Sequence, residues 1–121
     1  MIRKPFVEEK TQVQQGEGTV TFRHILSKDE LYGHGRMFAE IMIPPGASIG
    51  KHRHVDETEP YYILQGEGVY HDSDGSEYVV VAGDVCVLEV GAEHWIENRS
   101  SQPLHFIALI YNAAGVLTDE K

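Results

Sequence analysis

Basic residues are scarce in this chain. Ten lysines and arginines stand against 19 acidic residues in a length of 121, a formal net charge of −9 with the histidines neutral. That field repels a nucleic-acid duplex and an anionic membrane surface, so neither is expected as a partner. Cysteine is nearly absent too. The single thiol, Cys86, cannot close an intrachain disulfide, and its place in an apolar run reads as a small core side chain of a reducing compartment. No segment approaches the roughly 18 apolar residues of a membrane helix. No apolar stretch follows the charges of Met1 to Lys10, so a cytoplasmic protein without a secretory signal is expected. Linkers, low-complexity tracts, repeats and long helical periodicity are also missing. What remains is an ordinary globular balance, 41% hydrophobic and 24% charged, which excludes wholesale disorder. The length suits one domain spanning residues 1–121.

Short runs of β formers carry the chain. They cover Gly18 to Leu26, Arg36 to Ile43, Tyr61 to Leu64, Val69 to His71, Glu77 to Val81, Val85 to Leu88, His94 to Asn98 and Leu104 to Tyr111. Turn residues separate them: Pro44-Pro45-Gly46, Gly66, and Asp72-Ser-Asp-Gly75, which reads as a hairpin turn. Ser27-Lys-Asp-Glu30 has the capping-box pattern and predicts a single helical turn before Gly33 and Gly35 break it. Many short strands at roughly ten-residue spacing predict an all-β antiparallel barrel or sandwich. Its core is expected over about residues 36–111, with 112–121 a tail that has lost strand patterning.

The chemistry concentrates at Lys51-His52-Arg53-His54. Strand side chains alternate, so His52 and His54 share a face and Lys51 and Arg53 point the other way. Two imidazoles on an interior face make a poor core and a good metal site. Glu59 stands at an odd offset from His54. A turn through Val55 to Thr58 lets it begin the next strand and face back inward, and Pro60 biases it toward an extended backbone. Asp56 and Glu57 compete for the carboxylate role, but their spacing puts them on a solvated turn. A fourth group, His94, follows Gly91 just before a strand.

Gly46, His52, His54, Glu59 and Gly66 fit the pattern Gly-x5-His-x-His-x4-Glu-x6-Gly, which resembles the first cupin motif. Gly83, Gly91, His94 and Asn98 are similar to the second, Gly-x5-Pro-x-Gly-x2-His-x3-Asn, with Glu89 in the proline position. Within that superfamily the chain resembles the small single-domain bacterial cupins of unassigned activity, on the stretches Ile43 to Gly50 and Tyr61 to Gly66. The resemblance implies a jelly-roll double-stranded β-helix of six to eight strands, with His52, His54, Glu59 and His94 as metal ligands. Three imidazoles and a carboxylate suit a divalent transition metal ion: Mn, Fe, Ni, Co or Zn. With Lys51 and Arg53 turned away, attraction for an anionic ligand is expected from the metal itself.

An enzyme would need an acid or base beside the ligands, and the candidates for that catalytic role are Tyr61, Glu40 and His71. Tyr61 should share the inward face of Glu59. Glu40 faces outward if Met37, Ala39, Ile41 and Ile43 face in. His71 lies beside a hairpin, and Asn98 is expected to fix local backbone. Three activities fit: a metal-dependent enzyme on a small oxygen-chelating metabolite, a non-catalytic small-molecule or metal-binding module, and a metal-braced structural dimer. Unpaired strand edges predict a homodimer, with Phe6 to Phe22 adding to a neighbour's sheet.

Overall fold

The computed structural model describes residues 1–114. Their strands are β1 (Phe6–Thr11), β2 (Thr19–Leu26), β3 (Gly35–Ile43), β4 (Ser48–Arg53), β5 (Glu57–Thr58), β6 (Tyr61–Gln65), β7 (Glu67–His71), β8 (Glu77–Val81), β9 (Val85–Cys86), β10 (Glu93–Glu97) and β11 (Leu104–Asn112). One sheet runs β1-β2-β3-β11-β6-β9, with β5 also paired to β11, and the other runs β4-β10-β7-β8. Every pairing is antiparallel. No helix of the described residues is long and apolar enough to cross a membrane.

Alternation decides which side of each strand is buried. In β3, Ala39, Ile41 and Ile43 are buried while Arg36 is exposed and Glu40 half-exposed. β11 pairs with it in the register Leu104↔Ile43, Phe106↔Ile41 and Ala108↔Ala39, so both inward sets meet on one face. Val20 and Phe22 of β2, Tyr61 and Ile63 of β6 and Ile96 of β10 complete the core. Each large apolar side chain buried there contributes roughly 1.5–3 kcal/mol. Cys86 is buried among them. Asn98 ties the corner behind β10: its amide donates to the carbonyls of Ile43 (2.9 Å) and Gln102 (2.7 Å).

The turns follow their local chemistry. Asp72 to Gly75 closes the β7–β8 hairpin, with the Gly75 N–H donating to the Asp72 carbonyl at 3.0 Å. The capping box forms reciprocally: the Ser27 N–H donates to Glu30 (2.9 Å) and the Glu30 N–H to Ser27 Oγ (3.2 Å). It opens the 3₁₀ turn Asp29–Leu31.

One expectation needs revision. Asn112 is the last residue of β11 rather than the first of a tail, because its backbone N–H reaches the His34 carbonyl at 2.8 Å. Most of the expected tail, 115–121, lies outside the described residues. At the N-terminus β1 and β2 form a hairpin, from Phe6↔His24 to Thr11↔Thr19, with β1 at the end of its sheet.

Candidate metal centre

His52 and His94 are direct cross-strand partners on β4 and β10, so alternation puts both imidazoles on the inner face. His54 lies one residue beyond β4, where its backbone is held by Ala92 and Gly91: the His54 N–H donates to the Ala92 carbonyl (3.2 Å) and the Gly91 N–H to the His54 carbonyl (2.8 Å). The turn after it passes through Asp56 at φ 61°, a left-handed conformation that aspartate tolerates. Glu59 is buried between β5 and β6, in the gap rather than on a strand. Gly91 sits at φ 83° in the third position of the turn Glu89–Ala92, which closes at 3.1 Å, so glutamate in place of proline leaves that turn intact.

The structure brings all four side chains together. Their potential ligand atoms lie within 4.8 Å of one another. Glu59 Oε1 is the hub, at 3.2 Å from His52 Nε2, 2.8 Å from His54 Nε2 and 3.1 Å from His94 Nε2. The His52 and His94 Nε2 atoms are 3.1 Å apart.

The far nitrogens explain this aim. His52 Nδ1 bonds the Gly50 carbonyl at 2.7 Å, His54 Nδ1 bonds Glu57 Oε2 at 2.6 Å, and His94 Nδ1 meets the Tyr70 hydroxyl at 2.9 Å. A carbonyl and a carboxylate only accept, so the Nδ1 of His52 and of His54 must carry the proton. When neutral, their Nε2 atoms therefore turn lone pairs on the Glu59 carboxylate. Lone pairs meeting at these distances repel unless a proton or a metal ion lies among them, and the donor set could hold a divalent transition metal.

Without an ion, protonated imidazoles can take its place as donors to Glu59. Burial pushes the Glu59 carboxyl up, but hydrogen bonds from the three histidines outweigh it and hold the group well below the usual carboxylate range. Burial lowers His54, and its bonds to Glu59 and Glu57 reverse that to a net rise. Burial dominates at His94 and lowers it. Glu57 is held down by the Arg36 guanidinium, with burial opposing and His54 assisting.

The sequence's catalytic candidates divide. Tyr61 is buried beside the cluster, its hydroxyl 3.3 Å from Glu59 Oε1 and 3.4 Å from His94 Nε2. Burial raises its pKa well above the ordinary phenol value, so it is a poor proton donor. Glu40 faces out of β3 beside His105, with Oε2 3.5 Å from Nδ1. His71 stacks on Trp95 (centroids 3.5 Å apart, planes at 5°) and bonds Glu97 Oε2 at 2.6 Å. Trp95 is the outward neighbour of inward-facing His94 and Ile96, so His71 lies on the outer surface. Neither Glu40 nor His71 reaches the pocket.

Four contributors were not foreseen. Glu57 is only 13% exposed at its side chain and braces His54, rather than sitting in solvent. Tyr70 alternates inward with Gly68 on β7 and braces His94; the alternation alone could have flagged it. Lys10 and Arg36 help line the cavity of about 110 Å³ in front of the cluster, so a bound ion would not be the only positive charge near it. Lys10 gets there on β1 of the β1–β2 hairpin and Arg36 from the start of β3, a placement that spacing within the motifs does not report. Val13 and Gln14, from the loop after β1, line the same cavity. That loop seats on β4 because Gly50 has no side chain; a Cβ there would collide with the Gln14 carbonyl oxygen.

Residues 39–110 match the family model described as Cupin domain. A protein of Thermotoga maritima described as "Oxalate-binding protein" is 44% identical over 103 residues, which are 85% of this chain and 84% of that one. An uncharacterized protein of Methanocaldococcus jannaschii is 30% identical over 89 residues, covering 74% of this chain and 70% of its own. A crystal structure of a predicted oxalate decarboxylase, also from Thermotoga maritima, superimposes with a TM-score of 0.86 at 40% identity, covering 93% of this chain and 98% of that one.

Proposed function

The chain belongs to the cupin family, and from that premise we propose that it binds a small dicarboxylate of the oxalate class through a divalent metal held by His52, His54, Glu59 and His94. The observation that carries this reading is the convergence of three imidazole nitrogens on Glu59 Oε1. Such an ion would keep coordination positions open for a chelating pair of oxygens. The cavity of about 110 Å³ supports a ligand of few atoms, since drug-sized ligands occupy pockets of roughly 300–1,000 Å³. The 44% identical oxalate-binding relative supports the chemical class.

Binding is favoured over catalysis by what surrounds the cluster. Val13, Phe22, Met37, Ile41, Ile49 and Ile110 supply about half of the cavity wall, and none of them can move a proton. Glu57 is committed to Arg36 and His54, and the Tyr61 phenol is held protonated by burial. No uncommitted acid or base among the described cavity residues stands ready to move a proton. The outer edge of β1, which ends its sheet, supports a homodimer as the assembled form.

Calorimetry with oxalate on metal-loaded and metal-stripped protein tests the reading. Binding by the loaded form alone is expected, and His52→Ala and His94→Ala should each retain only a small fraction of the metal. Equal oxalate binding with and without metal would place the ligand elsewhere. Formate release from oxalate by the Mn-loaded protein would replace binding with decarboxylation.

A further inference from the structure

We propose that Lys10 is the cationic contact for the outer oxygens of the bound dicarboxylate and sets the preference for a second carboxylate; this rests on the dicarboxylate reading above. Two cations line the cavity among the described residues, Lys10 and Arg36. Arg36 is occupied: its Nε donates to Glu57 Oε1 (2.9 Å) and Oε2 (3.2 Å), and its Nη2 to Oε2 at 2.7 Å. Its charge is largely cancelled at that pair.

Lys10 is differently placed. Its cross-strand partner is Val20, which is fully buried, and directly opposed residues share a face. Lys10 therefore leaves β1 on the inner side of the sheet. Its Nζ lies 5.3 Å from the centroid of Phe22, another residue of the cavity wall. The acid beside it is Glu8, at 3.8 Å, and the same Glu8 oxygen is bonded to His24 Nε2 at 2.9 Å. That separation exceeds a hydrogen bond, so the ammonium keeps donors for a ligand.

The ligand has matching needs. A chelating dicarboxylate turns one oxygen of each carboxylate toward an ion and leaves one of each outward. Beyond the four clustered side chains, Tyr61, Lys10 and the paired Arg36, the Gln14 amide is the polar group among the described cavity residues, and the rest are apolar. A chain of net charge −9 would repel a dianion at long range. A local ammonium offsets that repulsion where the ligand enters, and its half-exposed position lets it meet the ligand without deep desolvation.

The test compares metal-loaded wild type with Lys10→Met, Lys10→Arg and Lys51→Met, a charge-matched control on the outer face of β4. Titrants are oxalate and oxamate, which replaces one carboxylate by an amide. Lys10→Met should keep its metal and lose about tenfold in oxalate affinity, about 1.4 kcal/mol. Its oxalate-over-oxamate preference should shrink, and its oxalate affinity should respond less to salt than that of wild type. Lys10→Arg should retain most of the affinity, and Lys51→Met all of it. Oxalate affinity of Lys10→Met within about twofold of wild type overturns the role of Lys10 and leaves the dicarboxylate reading standing. Loss of metal from Lys10→Met assigns it a structural part instead. No oxalate binding by metal-loaded wild type overturns both.

Discussion

Replacing Glu57 separates bracing of a proposed metal ligand from simple stability. Its carboxylate takes the His54 Nδ1 proton at 2.6 Å in a buried setting and pairs with Arg36 at the surface. The Arg36 guanidinium side chain is 52% exposed, so the lost ion pair is worth about 1 kcal/mol of stability at most after solvent screening. The His54 bond fixes both the tautomer and the ring, and losing such a partner typically costs about 10–100-fold in metal affinity, roughly 1.4–2.7 kcal/mol. Glu57→Ala should therefore lower metal affinity by that range while melting within a few degrees of wild type. Glu57→Gln, which keeps an acceptor oxygen, should fall between. Competition against a chromophoric chelator at pH 8 measures it.

The pH dependence adds a second readout with a definite sign. His54 is raised above the ordinary imidazole value in the metal-free protein, against the effect of burial, because Glu59 and Glu57 hold its proton. A proton bound there must leave before the metal binds. Removing Glu57 lowers the His54 pKa, so protons compete less in the variant than in wild type as pH falls from 8 through about 6.5, the ordinary imidazole value. The affinity gap should narrow on acidification. Equal metal affinity of wild type and Glu57→Ala at pH 8, or a gap that widens toward pH 6, would refute the bracing role.

Two further outcomes test the barrel itself. Phe106 is fully buried between β3 and β6, so Phe106→Ala should cost about 3–5 kcal/mol in chemical denaturation; a loss below about 1 kcal/mol would mean that the core is not packed as described. Cys86 is buried and its thiol is pushed up to about 12, chiefly by burial, so a thiol reagent at pH 8 should label it only after unfolding. Rapid labelling of the folded protein would contradict that burial.

Much of this architecture was legible because strand alternation is a local property. His52 and His54 share a face whatever lies across from them, and the outward turn of Glu40 follows from the apolar set Ala39, Ile41 and Ile43. The convergence of Glu59 and His94 on that pair was readable through motif spacing rather than through any single strand. Glu57 escaped because only its pairing to β11 draws a turn residue inward, as Asn112↔Glu57 in the register shows. Lys10 and Arg36 escaped for a related reason. The β1–β2 hairpin brings Lys10 to a cavity built around residues far along the chain, and no spacing rule connects them. His71 was ambiguous from sequence because β7 is short and its register depends on β10, where it faces Trp95.

The pairing of β11 with β5 also orders events in time. Tyr111↔Thr58 and Asn112↔Glu57 fasten the segment that braces His54, and the Ala113 N–H donates to the Asp56 carbonyl at 3.1 Å. Synthesis at roughly 5–20 residues per second delivers Asn112 about 3–11 s after Glu57. Throughout that interval His52, His54 and Glu59 are already made, while the strand that holds their turn in place is still to come. A nascent chain thus carries three of the four proposed ligands before it has the fold that gathers them, and any ion at the ribosome would meet those side chains first.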